Sequence, residues 1–126
     1  MTAQAGSVTS STLAVQAERL ALRRHALSVR RALPQPYRRY AAKQLAAQLD
    51  HYRLLKPKLR IGVYLATPHE LDLKQLIARA LDRHCTLYVP HIVNDSRRQM
   101  RFVQLFSTSR LQRHRLGMPQ VSNTPR

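Results

Sequence analysis

With 126 residues, 44% of them hydrophobic, the chain is long enough for one domain with a core and too short for two independent ones. Lys and Arg total 22 against 6 Asp and Glu, a formal charge of +16 that suits a polyanionic partner such as a nucleotide or nucleic acid, or else a broad solvated cationic surface. No apolar run approaches the roughly 18 residues that cross a membrane, the small polar start is no secretory signal, and a lone cysteine, Cys85, excludes a disulfide framework or Cys-rich zinc site and leads us to expect a reducing, cytoplasmic compartment.

Residues 1–12 show no period and read as a disordered lead. From Leu13 to Leu33 the pattern is helical, with Leu22, Ala26, Val29 and Leu33 on one stripe expected to be buried. Arg19, Arg23 and Arg30 fall within about 40° of one another beside that stripe and form one basic edge. Arg24 and Arg31 point elsewhere, toward solvent. Pro34 and Pro36 close this helix, and a second is expected from Pro36 to Leu54 with Ala41, Leu45, Leu49 and Tyr52 inward.

The period then changes. Leu59 to Ala66 is rich in strand formers and bounded by Pro57 and Pro68. Leu71 to His84 is helical again, with Asp72 placed to cap it. Cys85 to Val89 reads as a second buried strand, stopped by Pro90. Strand, helix and strand at this spacing predict a parallel pair. A third strand is expected over Met100 to Phe106, after a turn at Asn94-Asp95-Ser96, and no lasting period follows Ser107. The fold class is therefore α/β: two N-terminal helices, then a βαβ unit and a third strand of an open, incomplete sheet, over residues 13–119, with a tail at 120–126.

Chemistry-bearing motifs are sparse. Gly6, Gly62 and Gly117 are too far apart to form a phosphate loop. The six histidines show no metal-ligand pairing, so no metal site is assigned, and no catalytic residue can be singled out. Cys85, inside an apolar run, reads as an inert core thiol. The segment Tyr64 to Asp72 stands apart because it follows a strand's carboxyl end and precedes a helix, where open α/β sheets bind ligands. Glu70 there is either a ligand carboxylate or a first-turn partner of the helix dipole.

The order of the pieces is informative: R-x-x-L-R at 19–23, R-R-A-L at 30–33, I-G-V-Y-L-x-x-P-x-E-L-D at 61–72, L-Y-V-P at 87–90, M-R-F at 100–102 and R-x-R-L-G-M-P at 113–119. From about Glu18 to Pro119 this resembles the amino-terminal part of the 5-formyltetrahydrofolate cyclo-ligase (methenyltetrahydrofolate synthetase) family. The resemblance implies an enzyme of one-carbon folate metabolism that uses Mg2+ and ATP to convert 5-formyltetrahydrofolate to 5,10-methenyltetrahydrofolate, releasing ADP and phosphate. The formyl oxygen is phosphorylated, N10 attacks the activated carbon, and phosphate leaves.

Carried over residue by residue, the resemblance implies ATP contacts at Arg19, Leu20, Ala21, Leu22 and Arg23, with Arg19 standing where the family has lysine. It implies folate contacts at Leu65 and Glu70. Met100 either lines the folate pocket or packs in the core. His69 replaces the family's glycine before the glutamate, and Gln120-Val121 replace its Glu-Pro pair. The family's later Gly-rich stretch, with paired tyrosines and an Asp-Arg that hold ATP phosphates, magnesium and part of the folate, is not found here. The chain is therefore expected to be a truncated, catalytically impaired member.

A second reading, from a different class, is a small basic nucleic-acid-binding protein using Arg23, Arg24, Arg30, Arg31, Arg38 and Arg39 on phosphates. It accounts for the charge, but five Tyr, two Phe and no Trp leave little for base stacking.

Overall fold

The computed structural model describes residues 9–94 and 96–122, and the chain divides into two units, residues 1–33 and 34–126. The first unit is one helix, α1, Ser10–Ala32. It starts three residues earlier than the periodicity predicts; the rest of the expected disordered lead, residues 1–8, lies outside the described residues, as do Asp95 and 123–126. Thr9 precedes the helix in extended conformation, and its carbonyl accepts the Thr12 and Leu13 N–H groups at 2.9 and 3.3 Å. Leu33 is extended, as the residue before a proline must be, and this ends α1. The expected burial of its apolar stripe is not observed: α1 has no buried residue, and Leu22 is 69% exposed. Periodicity reveals that a helix has an apolar face, not what covers it.

In the second unit, α2 spans Gln35–His51, with Pro36 in its first turn where no N–H partner is lost. It ends three residues earlier than expected. Arg53 takes a left-handed backbone (φ 55°), its N–H bonds Asp50 O at 3.0 Å, and the Leu54 N–H bonds Leu49 O at 3.0 Å. These two bonds make a Schellman ending. The helix α3, Lys74–Asp82, ends the same way through His84 (φ 60°), with His84 N–H to Leu81 O at 3.0 Å and Cys85 N–H to Ala80 O at 2.9 Å. A left-handed backbone costs a residue with a Cβ roughly 1–2 kcal/mol, which glycine's extra chain entropy only partly offsets. His84→Gly should therefore raise stability by about 0.5–1 kcal/mol, read as an upward shift of the urea midpoint at unchanged slope.

Three strands form the main sheet in the order β1-β2-β3: β1 Arg60–Gly62, β2 Thr86–Asn94 and β3 Gln99–Leu105. β1 and β2 run parallel with α3 between them in sequence, as the strand–helix–strand pattern implied, and β3 returns antiparallel. β1 is shorter than the expected 59–66 because it pairs only with residues 86–88 before the chain turns away.

β2 does not stop at Pro90. Thr86 N–H donates to Leu59 O, and Tyr88 O accepts the Val63 N–H, both at 2.8 Å. Even-numbered residues of β2 thus turn their backbone groups toward β1. Pro90 belongs to that series but lies past the end of β1, so its missing N–H breaks no ladder. The next in the series, Ile92, gives its N–H to Gln120 Oε1 at 3.4 Å.

The core lies on one face of this sheet. Leu87 and Val89 of β2, Leu105 of β3 and Val63 pack with Ala46 of α2 and Leu76 and Ala80 of α3. Leu45 and Leu49 of the expected α2 stripe pack against the core, but the buried residues are Ala42 and Ala46 in place of Ala41 and Tyr52; Tyr52 is 69% exposed. Cys85 is buried, and its thiol donates to Lys56 O at 3.2 Å. Burial pushes that thiol above its ordinary range, so the inert core reading fits. The other face carries Gly62, Tyr88, Pro90, Ile92, Met100 and Phe102, and Met100 and Phe102 remain more than half exposed.

After β3, where no period was found, a small hairpin forms from β4, Leu111–Arg113, and β5, Pro119–Val121. Gly117 (φ 92°) permits its turn, closed by Gly117 N–H to His114 O and His114 N–H to Met118 O, both 2.8 Å. No helix among the described residues is long and apolar enough to cross a membrane.

Candidate functional site

The chain from Val63 to Leu73 links β1 to α3 and lies at the carboxyl end of a parallel strand. Its shape is fixed by a few polar contacts. Thr67 to Glu70 form a tight turn in which Glu70 N–H donates to Thr67 O at 3.1 Å, and Thr67 N–H donates to Glu70 Oε2 at 2.9 Å. The two ends of the turn hold each other reciprocally, so one carboxylate oxygen of Glu70 is committed to local structure while Oε1 is left for another partner. His69 has no left-handed backbone, so the turn does not need the glycine it replaces.

Two side chains tie the turn to its surroundings. Tyr64 Oη donates to Leu71 O at 3.0 Å, and Arg38 Nη1 of α2 donates to Pro68 O at 2.8 Å. Asp72 Oδ1 then accepts the Lys74 N–H at 2.9 Å just ahead of α3; the N-cap position itself is Leu73, which makes no side-chain cap bond, so Asp72 acts one residue before the cap it was expected to be. Glu70 itself lies in the turn ahead of α3 and outside the helix's first turn, which removes the simplest form of the dipole explanation.

Glu70 opens on a cavity of about 240 Å³. Gln35, Arg38, Arg39 and Ala42 line it from α2, Pro68, Glu70 and Asp72 from the loop, and Gln75 from α3. Two arginines, two acidic residues and two glutamines line one small space. Such a set can bind a ligand edge that alternates donors and acceptors, because both kinds of partner are at hand.

Within the second unit, Leu65 and Met100, the other folate residues carried over from the resemblance, do not line this cavity. Leu65 lines a separate apolar cavity of about 410 Å³ with Ile77, Leu81, Leu105, Phe106 and Leu111. Met100 is 58% exposed on the open face of the sheet, paired with Ile92, so packing in the core is not its role. Arg19, Leu20, Leu22 and Arg23 border one open concavity along α1 with Gln16, and Ala21 is exposed on the same helix. Arg19 and Arg23, one turn apart, can reach a common phosphate chain. Arg24 and Arg31 are exposed as expected, while Arg30 is half-buried.

Among the described residues no group of three or more His, Cys, Asp or Glu assembles to hold a metal ion. Asp50 of α2 bonds Arg83 at 2.9 Å and approaches Arg79 at 3.7 Å, binding α2 to the end of α3. Sequence reasoning pointed to Glu70 but not to Arg38, Arg39 and Gln75 as its neighbours. Arg38 and Arg39 entered only as phosphate-binding candidates, because nothing in a linear pattern shows that α2 passes beside the turn.

No curated protein matches the chain as a relative. The model of one family, described as the 5-formyltetrahydrofolate cyclo-ligase family, matches residues 15–125 of the 126, a span that holds most of α1, the βαβ unit, the Glu70 turn and the terminal hairpin. With nearly its whole length matched in that order, the chain belongs to the 5-formyltetrahydrofolate cyclo-ligase family.

Proposed function

We propose that this chain binds 5-formyltetrahydrofolate at the Glu70 turn and, with ATP, takes part in closing it to 5,10-methenyltetrahydrofolate, ADP and phosphate leaving. The observation that supports this best is Glu70: one of its carboxylate oxygens is tied into the turn, and the residue borders a polar cavity at the carboxyl end of β1, where open α/β sheets bind ligands. In this reading Glu70 accepts from the folate, while Leu65 and Met100 supply apolar contacts at a distance from it. Arg19, Leu20, Ala21, Leu22 and Arg23 meet ATP, the two guanidinium groups lying along its phosphates.

Closure needs the formyl oxygen made into a leaving group. Phosphoryl transfer to that oxygen asks the protein mainly for positioning and for cations beside the phosphates. Mg2+ supplies charge neutralisation when it arrives with the nucleotide. The described residues offer it no carboxylate cluster, so the phosphates would be its main ligands and no residue is assigned to it. A cytoplasmic location belongs to this reading.

The test is to incubate the folded chain with 5-formyltetrahydrofolate and Mg-ATP and follow the absorbance of the methenyl product, with folate binding measured in parallel. Folate binding with slow or undetectable product is the expected result, because the three glycines are too far apart to form a phosphate loop. Ready product formation overturns the expected impairment, and absence of both binding and product overturns the folate reading. The basic-protein alternative is addressed in the same preparation: nucleic-acid affinity that falls steeply and linearly in log salt, in a chain with no folate affinity, would favour it.

A further inference from the structure

We infer that Arg38 is a positioning residue for Glu70; the inference rests on the folate reading above. Glu70 can serve a ligand only if its turn is held at a fixed place against α2 and α3. The reciprocal bonds between Thr67 and Glu70 shape the turn but anchor it to nothing else. Anchoring comes from outside. Tyr64 reaches Leu71 O, beyond the turn, whereas Arg38 reaches Pro68 O at 2.8 Å, within it. Pro68 brings no N–H to the turn, so its carbonyl is the group through which the scaffold can take hold.

The side chain's surroundings argue that Arg38 is not placed for stability alone. Arg79 and Arg83 pair with the Asp50 carboxylate. Arg38 is half-buried, shares its cavity with Glu70 and Asp72, and uses one donor on a backbone carbonyl thirty residues away. Its Nε is enclosed and has no hydrogen-bond partner among the described residues. Leaving a cationic donor enclosed and unpaired works against stability, and such exceptions gather at functional sites. A methionine stem would cover the same surface without that cost. What methionine cannot do is hold Pro68 O, and with it the direction in which Glu70 Oε1 points.

The experiment uses the full chain as wild type, Arg38→Met and Arg38→Lys, with two readouts. The first is amide hydrogen exchange in the free protein. Arg38→Met should speed exchange at Thr67 and Glu70 by about tenfold, leaving the core amides of Leu87 and Val89 as they were. Arg38→Lys, which keeps a donor able to reach one partner, should recover part of that protection. The second readout is 5-formyltetrahydrofolate affinity, expected to drop by about tenfold in Arg38→Met and to be partly restored in Arg38→Lys. Unchanged exchange at Thr67 and Glu70 overturns the inference even where folate binds. Faster exchange throughout the core also overturns it, because Arg38 would then be a general structural residue. A wild-type chain that binds no folate overturns the proposed function instead, while the exchange comparison still decides whether Arg38 holds the turn.

Discussion

Leu87→Ala should cost about 3–4 kcal/mol and lower the melting temperature by roughly 15 °C or more. Leu87 lies near the start of β2, the central strand of the sheet, is fully buried, and pairs with Ile61 of β1 on one side and Leu105 of β3 on the other. Removing its side chain leaves a cavity beneath both strand neighbours and under the helices, where a backbone paired on two sides cannot collapse to fill it. Total stability for a domain of this size is of the order of 5–15 kcal/mol, so a single such loss consumes a large share. The informative control is Phe102→Ala. Phe102 is the larger side chain, but it stands on the opposite face and is 56% exposed, with its Cε1 only 3.6 Å from where a Cβ on Gly62 would lie. It should cost no more than about 1 kcal/mol. Thermal melts of the two variants side by side check the assignment of a one-faced core. Equal losses would mean that the face bearing Met100 and Phe102 is covered in solution.

What the sequence disclosed and what it hid differ for physical reasons. Element type was legible wherever hydrophobic period and length agreed: the three helices, the parallel β1–β2 pair and the return strand β3 all appear in the predicted order. Boundaries were less legible where the usual punctuation was missing. α2 and α3 end on left-handed Arg53 and His84, residues that carry no glycine signal, so both were read too far at their carboxyl ends, and α3 also starts at Lys74, three residues later than the expected Leu71. Pro90 was the converse case. A proline normally marks the end of a strand, but here β1 stops first and leaves the missing N–H without consequence. The hairpin of β4 and β5 escaped notice because two three-residue strands are too short for a period to show.

The site followed the same logic. Glu70 was singled out by its place after a strand in a chain with six acids, and the structure sets it in a tight turn that borders a polar cavity. Its neighbours Arg38 and Arg39 could not be found this way, because proximity across thirty residues is a property of the packing of α2. Nor could linear order show that Leu65 faces an apolar cavity apart from the polar one at Glu70, since five residues of loop suffice to turn the chain between them.

Glu70→Gln should weaken 5-formyltetrahydrofolate binding by about thirtyfold to a hundredfold while leaving the fold intact, a loss of about 2–3 kcal/mol. The two oxygens of the carboxylate have different partners, and the amide separates them. A glutamine oxygen can still accept the Thr67 N–H now held at 2.9 Å, so the turn survives. The second position becomes an NH2 group, a donor where the carboxylate offered an acceptor, and a ligand N–H meeting it is left unpaired. Loss of the negative charge also removes the stronger, charge-assisted form of that bond. Glu70→Ala makes the complementary change, since it deletes the Thr67 contact as well and should cost about 1 kcal/mol of stability in addition to affinity. The pair of variants therefore distinguishes a ligand carboxylate from a turn residue. If Glu70→Gln binds folate as tightly as wild type while Glu70→Ala melts lower, Glu70 only shapes the loop and the folate site lies elsewhere. If Glu70→Gln loses affinity at an unchanged melting temperature, the oxygen left over from the turn is the one that recognises the substrate.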